Sequence, residues 1–309
     1  MTLQKLIIDT DMGSDCDDVP AVALASWMQK TGQAKLLGLT HTSDNPRLYE
    51  YIDTVTRFYG GFDAEITVCD GDCPEIGKLS NEFIDKAVKG FAHRKAPEKN
   101  LGSAKLLRKL LAENEGVKLI CIGPLNNIAA LLKSGADEYS PLTGEELVAK
   151  SVEEVALMGG IFGGKEYWFG GNKMEAEFNI KCDIPAAAYV CEHCKAPITF
   201  IEFELGYGVE SFERTVSSPV DSPIKRSFEI FGVTKRSSWD PITVLYSKYG
   251  DCGGLYKFSP YGTVKVEPDG KLTFTEGAGK HRYLIENASK QAITDYINSF
   301  EEKLSGGNL

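Results

Sequence analysis

The chain has 309 residues, long for one average domain but within the span of a single large α/β domain, and its 42% apolar content is ample for a sizeable core. Lys plus Arg number 34 against 44 Asp plus Glu, a net charge of −10, which argues against a nucleic-acid or anionic-membrane partner but not against an uncharged nucleoside. The apolar run near the N-terminus is too short for a signal peptide and no stretch reaches about eighteen apolar residues, so the expected location is cytoplasmic.

Strand and helix patterns alternate along the chain. Lys5–Asp9 reads as a strand, Asp17–Lys30 as a helix, Lys35–Thr40 as a strand, and Pro46–Tyr59 as a helix with proline at its first position. Glu65–Val68 is a strand, and the polar stretch from about residue 70 to Asn100 reads as an irregular flap. Leu101–Ala112 carries Leu106, Leu107, Leu110 and Leu111 at helical spacing. Val117–Ile122 is a strand, Pro124 opens a helix to Lys133, and Glu154–Met158 is a strand. Pro185–Cys194 is a helix and Ile198–Phe203 a strand; Thr263–Leu284 alternates like a hairpin turning at Pro268-Asp269-Gly270, and Ala288–Leu304 is a closing helix. This alternation predicts an α/β fold: a mainly parallel, Rossmann-like sheet flanked by helices on both faces, with the active site at the carboxyl ends of the strands. Without repeats or linkers, residues 1–309 are read as one domain.

The first strand runs into Asp9-Thr10-Asp11-Met12-Gly13-Ser14-Asp15-Cys16-Asp17-Asp18, five carboxylates in ten residues. Such a cluster between a strand and a helix sits where open α/β sheets bind ligands, and hard oxygen donors suit Ca²⁺ or Mg²⁺ rather than zinc or copper. An EF-hand is excluded, because the twelfth position counted from Asp9 is Pro20 and a strand precedes the loop. A haloacid-dehalogenase-type phosphatase would use Asp9 as nucleophile and Asp11 as acid, but leaves Asp15, Asp17 and Asp18 without a purpose. Of eight cysteines only Cys191 and Cys194 have metal-like spacing, with no second pair, so reduced thiols are expected.

Three further strand ends are polar: Thr40 to Asn45, Ile122-Gly123-Pro124-Leu125-Asn126-Asn127, and the glycine-rich stretch from Met158 toward Asn172, Glu177 and Asn179. Glu177-Phe178-Asn179 is expected to be extended, placing two polar side chains on one face, where they would suit vicinal hydroxyls of a sugar. Trp239-Asp240-Pro241 precedes a helical run, with Asp240 in an N-cap position and Trp239 a platform or core residue.

In these stretches the chain resembles the nucleoside hydrolases, Ca²⁺-dependent N-ribohydrolases. The matching residues run in family order: Asp9 to Gly13 with Asp17-Asp18, Asp44-Asn45, Ile122 to Ala129, Asn172, Ala176 to Ile180, Asp183, and Trp239-Asp240. The resemblance implies that Asp11 binds Ca²⁺ and is the general base. Asp18, Asp240 and the backbone carbonyl of Ile122 would complete the metal site, and Asp17, Asn45, Asn172, Glu177 and Asn179 would hold the ribose. It further implies a small-molecule nucleoside substrate and a homodimer or homotetramer. Three departures stand out. The aspartate loop is two residues longer than the commonest pattern, so that Asp15 competes with Asp17 for a place in the site; Met12 replaces the usual proline; and Trp239 stands where pyrimidine-accepting members often carry a leaving-group histidine. Tryptophan there suits a stacked purine, so purine nucleosides are the expected substrates. With tryptophan there, activation of the departing base must come from stacking, solvent or another residue, for which His41, Tyr167 and Trp168 are the candidates. A Ca²⁺-dependent nucleoside- or sugar-binding protein without turnover is the alternative, discriminated by ribose release.

Overall fold

The computed structural model describes residues 3–74, 76, 79–169 and 171–305. Its main sheet is ordered Leu272–Glu276, Gly262–Val266, His281–Glu286, Ile198–Ile201, Val152–Met158, Val117–Ile122, Gln4–Thr10, Ala34–His41 and Ile66–Val68, with Tyr256–Phe258 paired beside His281–Glu286. From Ile66–Val68 across to His281–Glu286 every pairing is parallel, and the hairpin Gly262–Val266/Leu272–Glu276 and the strand Tyr256–Phe258 add antiparallel edges. The central strands are near-continuous apolar runs because both faces are covered, as parallel sheets require. Leu6 and Ile8 face one apolar layer while Ile7 faces the other, the period-two alternation of a strand inserted between two cores.

Helix Asp18–Lys30 is buried along almost its whole length and packs between helices Leu48–Gly60 and Trp239–Tyr249. This explains why its sequence is apolar nearly all round rather than striped. The register aligns Thr10 with His41 on one side and with Ile122 on the other, and Met158 with Ile201, so the carboxyl ends of these strands form one edge. The turns leaving that edge build the site.

Several elements differ from the sequence-based expectations. The helices expected from Pro46 and Pro124 start two residues later, at Leu48 and Asn126, because a tight turn with Leu48 N–H bonded to the Asn45 carbonyl (3.1 Å) precedes the first and Leu125 precedes the second. The expected flap contains helix Asn81–Val88, capped by the Ser80 hydroxyl, whose Phe83 packs edge-on against Tyr51 and Phe231. Residues 75, 77 and 78 of that flap lie outside the described residues. Glu177-Phe178-Asn179 is not extended: Glu177 is the N-cap of helix Phe178–Cys182. Helix Gly144–Ser151, signalled by the capping box of Thr143 and Glu146, was not anticipated. All eight cysteines are free thiols. Among the described residues no helix is long and apolar enough to cross a membrane.

Candidate active site

Thr10, the last residue of the first strand, organises the acidic loop from below. Its hydroxyl donates to Asp18 Oδ1 at 2.5 Å and accepts the Met12 N–H at 3.1 Å. The turn is closed by Ser14, whose N–H bonds the Asp11 carbonyl (2.9 Å) and whose hydroxyl bonds Asp11 Oδ2 (2.5 Å). Gly123 makes close packing possible: a Cβ there would lie 2.9 Å from the Asp11 backbone nitrogen, so only glycine lets the Ile122–Gly123 backbone lie against the loop. His41 supports the loop from the neighbouring strand. Its Nδ1 accepts the Ser43 N–H (3.0 Å), which leaves Nε2 to donate to the Met12 carbonyl (3.1 Å).

Two helices begin at this point, Asp18–Lys30 and Trp239–Tyr249, and their N-termini are joined by Asp17 Oδ2, which accepts the backbone N–H of Asp240 at 3.2 Å. Carboxylate oxygens of Asp17, Asp18 and Asp240 lie within 4.8 Å of one another, and all three residues are buried. Asp11 completes the floor but is not in this tightest group; its carboxylate is turned toward Ser14. Burial pushes Asp11 up to about 7, and burial together with neighbouring carboxylates raises Asp17, Asp18 and Asp240 well above the usual range. The nearest guanidinium, Arg236, is engaged by Asp15, with Nε at 2.9 Å from Oδ1 and Nη2 bonded to Oδ2. Four buried carboxylates that repel one another, with an all-oxygen donor set and two helix N-termini aimed at them, fit a hard divalent cation.

The cluster floors a cavity of about 610 Å³, within the roughly 300–1,000 Å³ of small-molecule sites. Of the sequence-predicted residues, Asp11, Asp17, Asp18, Ile122, Asn172, Glu177, Asn179, Trp239 and Asp240 all line it. Asn45 does not: its amide donates to the Leu79 carbonyl at 2.8 Å and its side-chain oxygen accepts the Arg47 N–H, so it fastens the flap instead. Glu177 is buried, and its carboxylate accepts backbone N–H groups of Gly160, Asn179 and Ile180 at 2.9–3.2 Å, fixing the wall that carries Asn179. Asp15 also lines the cavity, turned to Arg236 rather than to the acidic cluster.

Trp239 is a buried wall rather than a bare platform. Its indole N–H donates to the Phe203 carbonyl (2.7 Å), its ring stacks on Phe203 (5.3 Å), and the Arg236 guanidinium lies over it at 5.2 Å from the centroid. None of the proposed leaving-group acids is placed to act. His41 is wholly buried, is lowered to about 4 by that burial, and is bonded on both ring nitrogens; Tyr167 and Trp168 do not line the cavity. Asp9, the nucleophile of the phosphatase reading, is buried beneath the loop, where its Oδ1 accepts from Thr40 (2.6 Å) and Asn127 (2.7 Å), so that chemistry has no access. Phe203, Phe231, Val233 and Arg236 were not foreseen as cavity residues. Arg236, three residues before Trp239, carried no signal, because its place depends on a two-residue strand, Arg236–Ser237, paired with Glu210–Ser211.

A family model described as inosine-uridine preferring nucleoside hydrolase matches residues 6–282. A pyrimidine-specific ribonucleoside hydrolase, RihB, of Escherichia coli is 26% identical over 291 residues, covering 88% of this chain and 82% of that protein. Among solved structures, an inosine-guanosine nucleoside hydrolase superposes with a TM-score of 0.73 at 19% identity, covering 97% of this chain and 99% of the other. A purine-preferring ribonucleoside hydrolase from Gardnerella vaginalis gives 0.70 at 18% identity, covering 99% of each. With a match spanning most of its length and the acidic cavity at its strand ends, the chain belongs to the inosine-uridine preferring nucleoside hydrolase family, enzymes that hydrolyse the N-glycosidic bond of ribonucleosides.

Proposed function

We propose that this enzyme is a Ca²⁺-dependent ribonucleoside hydrolase that prefers purine nucleosides, with Asp11 as general base. The observation that carries the reading is the set of buried carboxylates Asp11, Asp17, Asp18 and Asp240 on the floor of a nucleoside-sized cavity. Asp11, Asp18, Asp240 and the Ile122 carbonyl would hold the ion, with Asp17 close enough to contribute. Bound there, Ca²⁺ would supply a fixed positive charge that orients hydroxyl oxygens and acidifies water.

The chain's own residues account for the rest. Asp11, raised toward neutrality by burial, has the affinity expected of a base that accepts a proton from attacking water. Asn179 and Asn172 present amide donors and acceptors to the ribose hydroxyls, and Glu177 holds the Asn179 wall in place. Tightening of such contacts as the sugar flattens toward an oxocarbenium ion contributes to rate rather than to ground-state binding. Purine preference is supported by the aromatic wall of Phe203, Phe231 and Trp239 and by tryptophan in place of histidine before Asp240; the pyrimidine specificity named for the Escherichia coli relative is the opposing indication. We read residues 1–309 as one catalytic domain, because the cavity draws on positions from Asp11 to Asp240, and the enzyme as cytoplasmic and homodimeric or homotetrameric.

The test is a panel of nucleosides assayed for free ribose, with Ca²⁺ present and with chelator. Ribose from inosine and guanosine, lost on chelation, is expected. Nucleoside affinity without product would favour the binding-protein alternative, and faster release from uridine would overturn the purine preference.

A further inference from the structure

A glycosidic bond broken by water leaves an electron pair on the base, and the acids named from the sequence are not placed to protonate it. His41 and the Trp239 N–H are committed to backbone carbonyls, and Tyr167 and Trp168 lie outside the lining. Lys173 is drawn to Glu166 at 2.6 Å, and Lys181 rides on the helix that carries Asn179, on the sugar side. Arg236 differs. Its guanidinium lies over the indole of Trp239, it lines the cavity, and it is anchored at both ends: by the strand Arg236–Ser237 along the backbone and by the fork of Asp15 at the tip. Asp15 is itself oriented by the Cys16 N–H, which donates to Oδ1 at 2.6 Å. Asp15 and Cys16 belong to the stretch by which the aspartate loop exceeds the commonest family pattern. The lengthened loop thus reaches a cation at the cavity wall that carries Trp239. Both side chains are about a quarter exposed, at 24% and 29%.

We propose that Arg236 is a catalytic residue that donates hydrogen bonds to the departing base, and that Asp15 is the positioning residue that aims it. The inference rests on the hydrolase reading above. As water adds to C1′, the C1′–N bond breaks and its electron pair passes to the ring nitrogen and the conjugated acceptors of the base. The water's proton goes to the general base. Arg236 keeps its own protons, which a guanidinium does not release in proteins; it stabilises the base anion by N–H donation, and solvent protonates the base afterwards. A planar guanidinium stacked on tryptophan also presents a flat surface for a purine, which reconciles a covered Trp239 with purine preference.

The experiment compares two substrates of the Ca²⁺-loaded enzyme: inosine, whose base needs help to leave, and 4-nitrophenyl β-ribofuranoside, whose nitrophenolate leaves unaided. For Arg236→Met, kcat/KM on inosine should fall by about 10²–10³-fold, the usual cost of one donor to a developing anion, while the nitrophenyl riboside loses less than about tenfold. Free guanidinium should restore part of the inosine activity of Arg236→Ala. Asp15→Asn should lower kcat on inosine with little change in KM, with a smaller loss on the nitrophenyl riboside. Should Arg236→Met fail to fold, Asp15→Asn and Arg236→Lys carry the same comparison. Equal losses on both substrates, or no loss on inosine, would overturn the proposal. Failure of the unaltered enzyme to cleave either substrate is a different result and overturns the hydrolase reading itself.

Discussion

Removing the metal should make this protein less stable as the solution becomes more alkaline. Burial holds Asp9 and Asp11 near 7, and Asp17, Asp18 and Asp240 are raised well above the usual range. In the unfolded chain each titrates near 3.9. The folded state therefore keeps protons that the unfolded state has lost. The stability so gained is complete below the unfolded value and is lost as pH rises through the folded ones. Two buried histidines act in the opposite sense: His41 and His281 are lowered to about 4, so they contribute stability above about 6.5 that is lost as pH falls. The two trends offset each other in the mildly acid range. Above about pH 7.5 the histidines are largely neutral in both states, and the carboxyls remain together with the buried thiols, whose values burial also raises and which act in the same direction. Each proton held by the folded state and absent from the unfolded one lowers stability by about 1.4 kcal/mol per pH unit. Against a total of about 5–15 kcal/mol that is easily measured. The assay is urea unfolding followed by tryptophan fluorescence at both pH values, in EDTA and in CaCl₂. The midpoint should fall more steeply with pH in EDTA than in calcium, where the carboxylates of the cluster are ionised against the cation. A midpoint in EDTA that is flat or rises from pH 7 to 8 would refute the reasoning.

Asp11→Ala should reduce ribose release by about 10²–10⁴-fold in a reducing-sugar assay, the range for loss of a general base, and near-normal turnover would remove Asp11 from that role. Trp239→Ala should cost more on inosine than on uridine, since it removes the ring beneath the Arg236 guanidinium and part of the aromatic wall; equal losses would falsify the purine preference. Asn179→Ala should raise KM and lower kcat for ribosides, whereas Asn45→Ala should lower thermal stability by releasing Leu79 and change KM by less than about threefold, a neutral amide bond contributing only about 1 kcal/mol.

The parallel core and the acidic loop were legible in the sequence because each has a local signature: apolar runs between turn residues, and carboxylates packed where a strand yields to a helix. Asp17 and Asp18 could be set apart from Asp15 because the helix they precede was legible too, and the structure places them beside Asp240 with Asp15 turned to Arg236. What stayed hidden depends on long-range partners. Asn45 has the residue type of a sugar ligand, but the Leu79 carbonyl, 34 residues away, claims its amide. Glu177-Phe178-Asn179 reads as extended, yet the Glu177 carboxylate caps a short helix by accepting the N–H groups of Asn179 and Ile180, and its place is fixed by the N–H of Gly160, from another strand end. Helix Asn81–Val88 was lost because it is only eight residues long and set in a polar stretch, so its short apolar stripe, Phe83, Ile84, Ala87 and Val88, did not stand out.

The bond from the Asp240 N–H to Asp17 Oδ2 ties positions 223 residues apart. Such a contact sets an order of events during folding. Strands and helices of the first half can assemble while the later chain is still emerging from the ribosome, but the acidic floor stays open until Trp239–Tyr249 arrives. Closing so long a loop is slow relative to local structure. Refolding should therefore recover far-ultraviolet ellipticity before ribose release, and a chain arrested short of Trp239 should carry most of the sheet and none of the catalysis. Activity thus reports the arrival of Trp239–Tyr249, and a chain that lacks it has no acidic floor to work with.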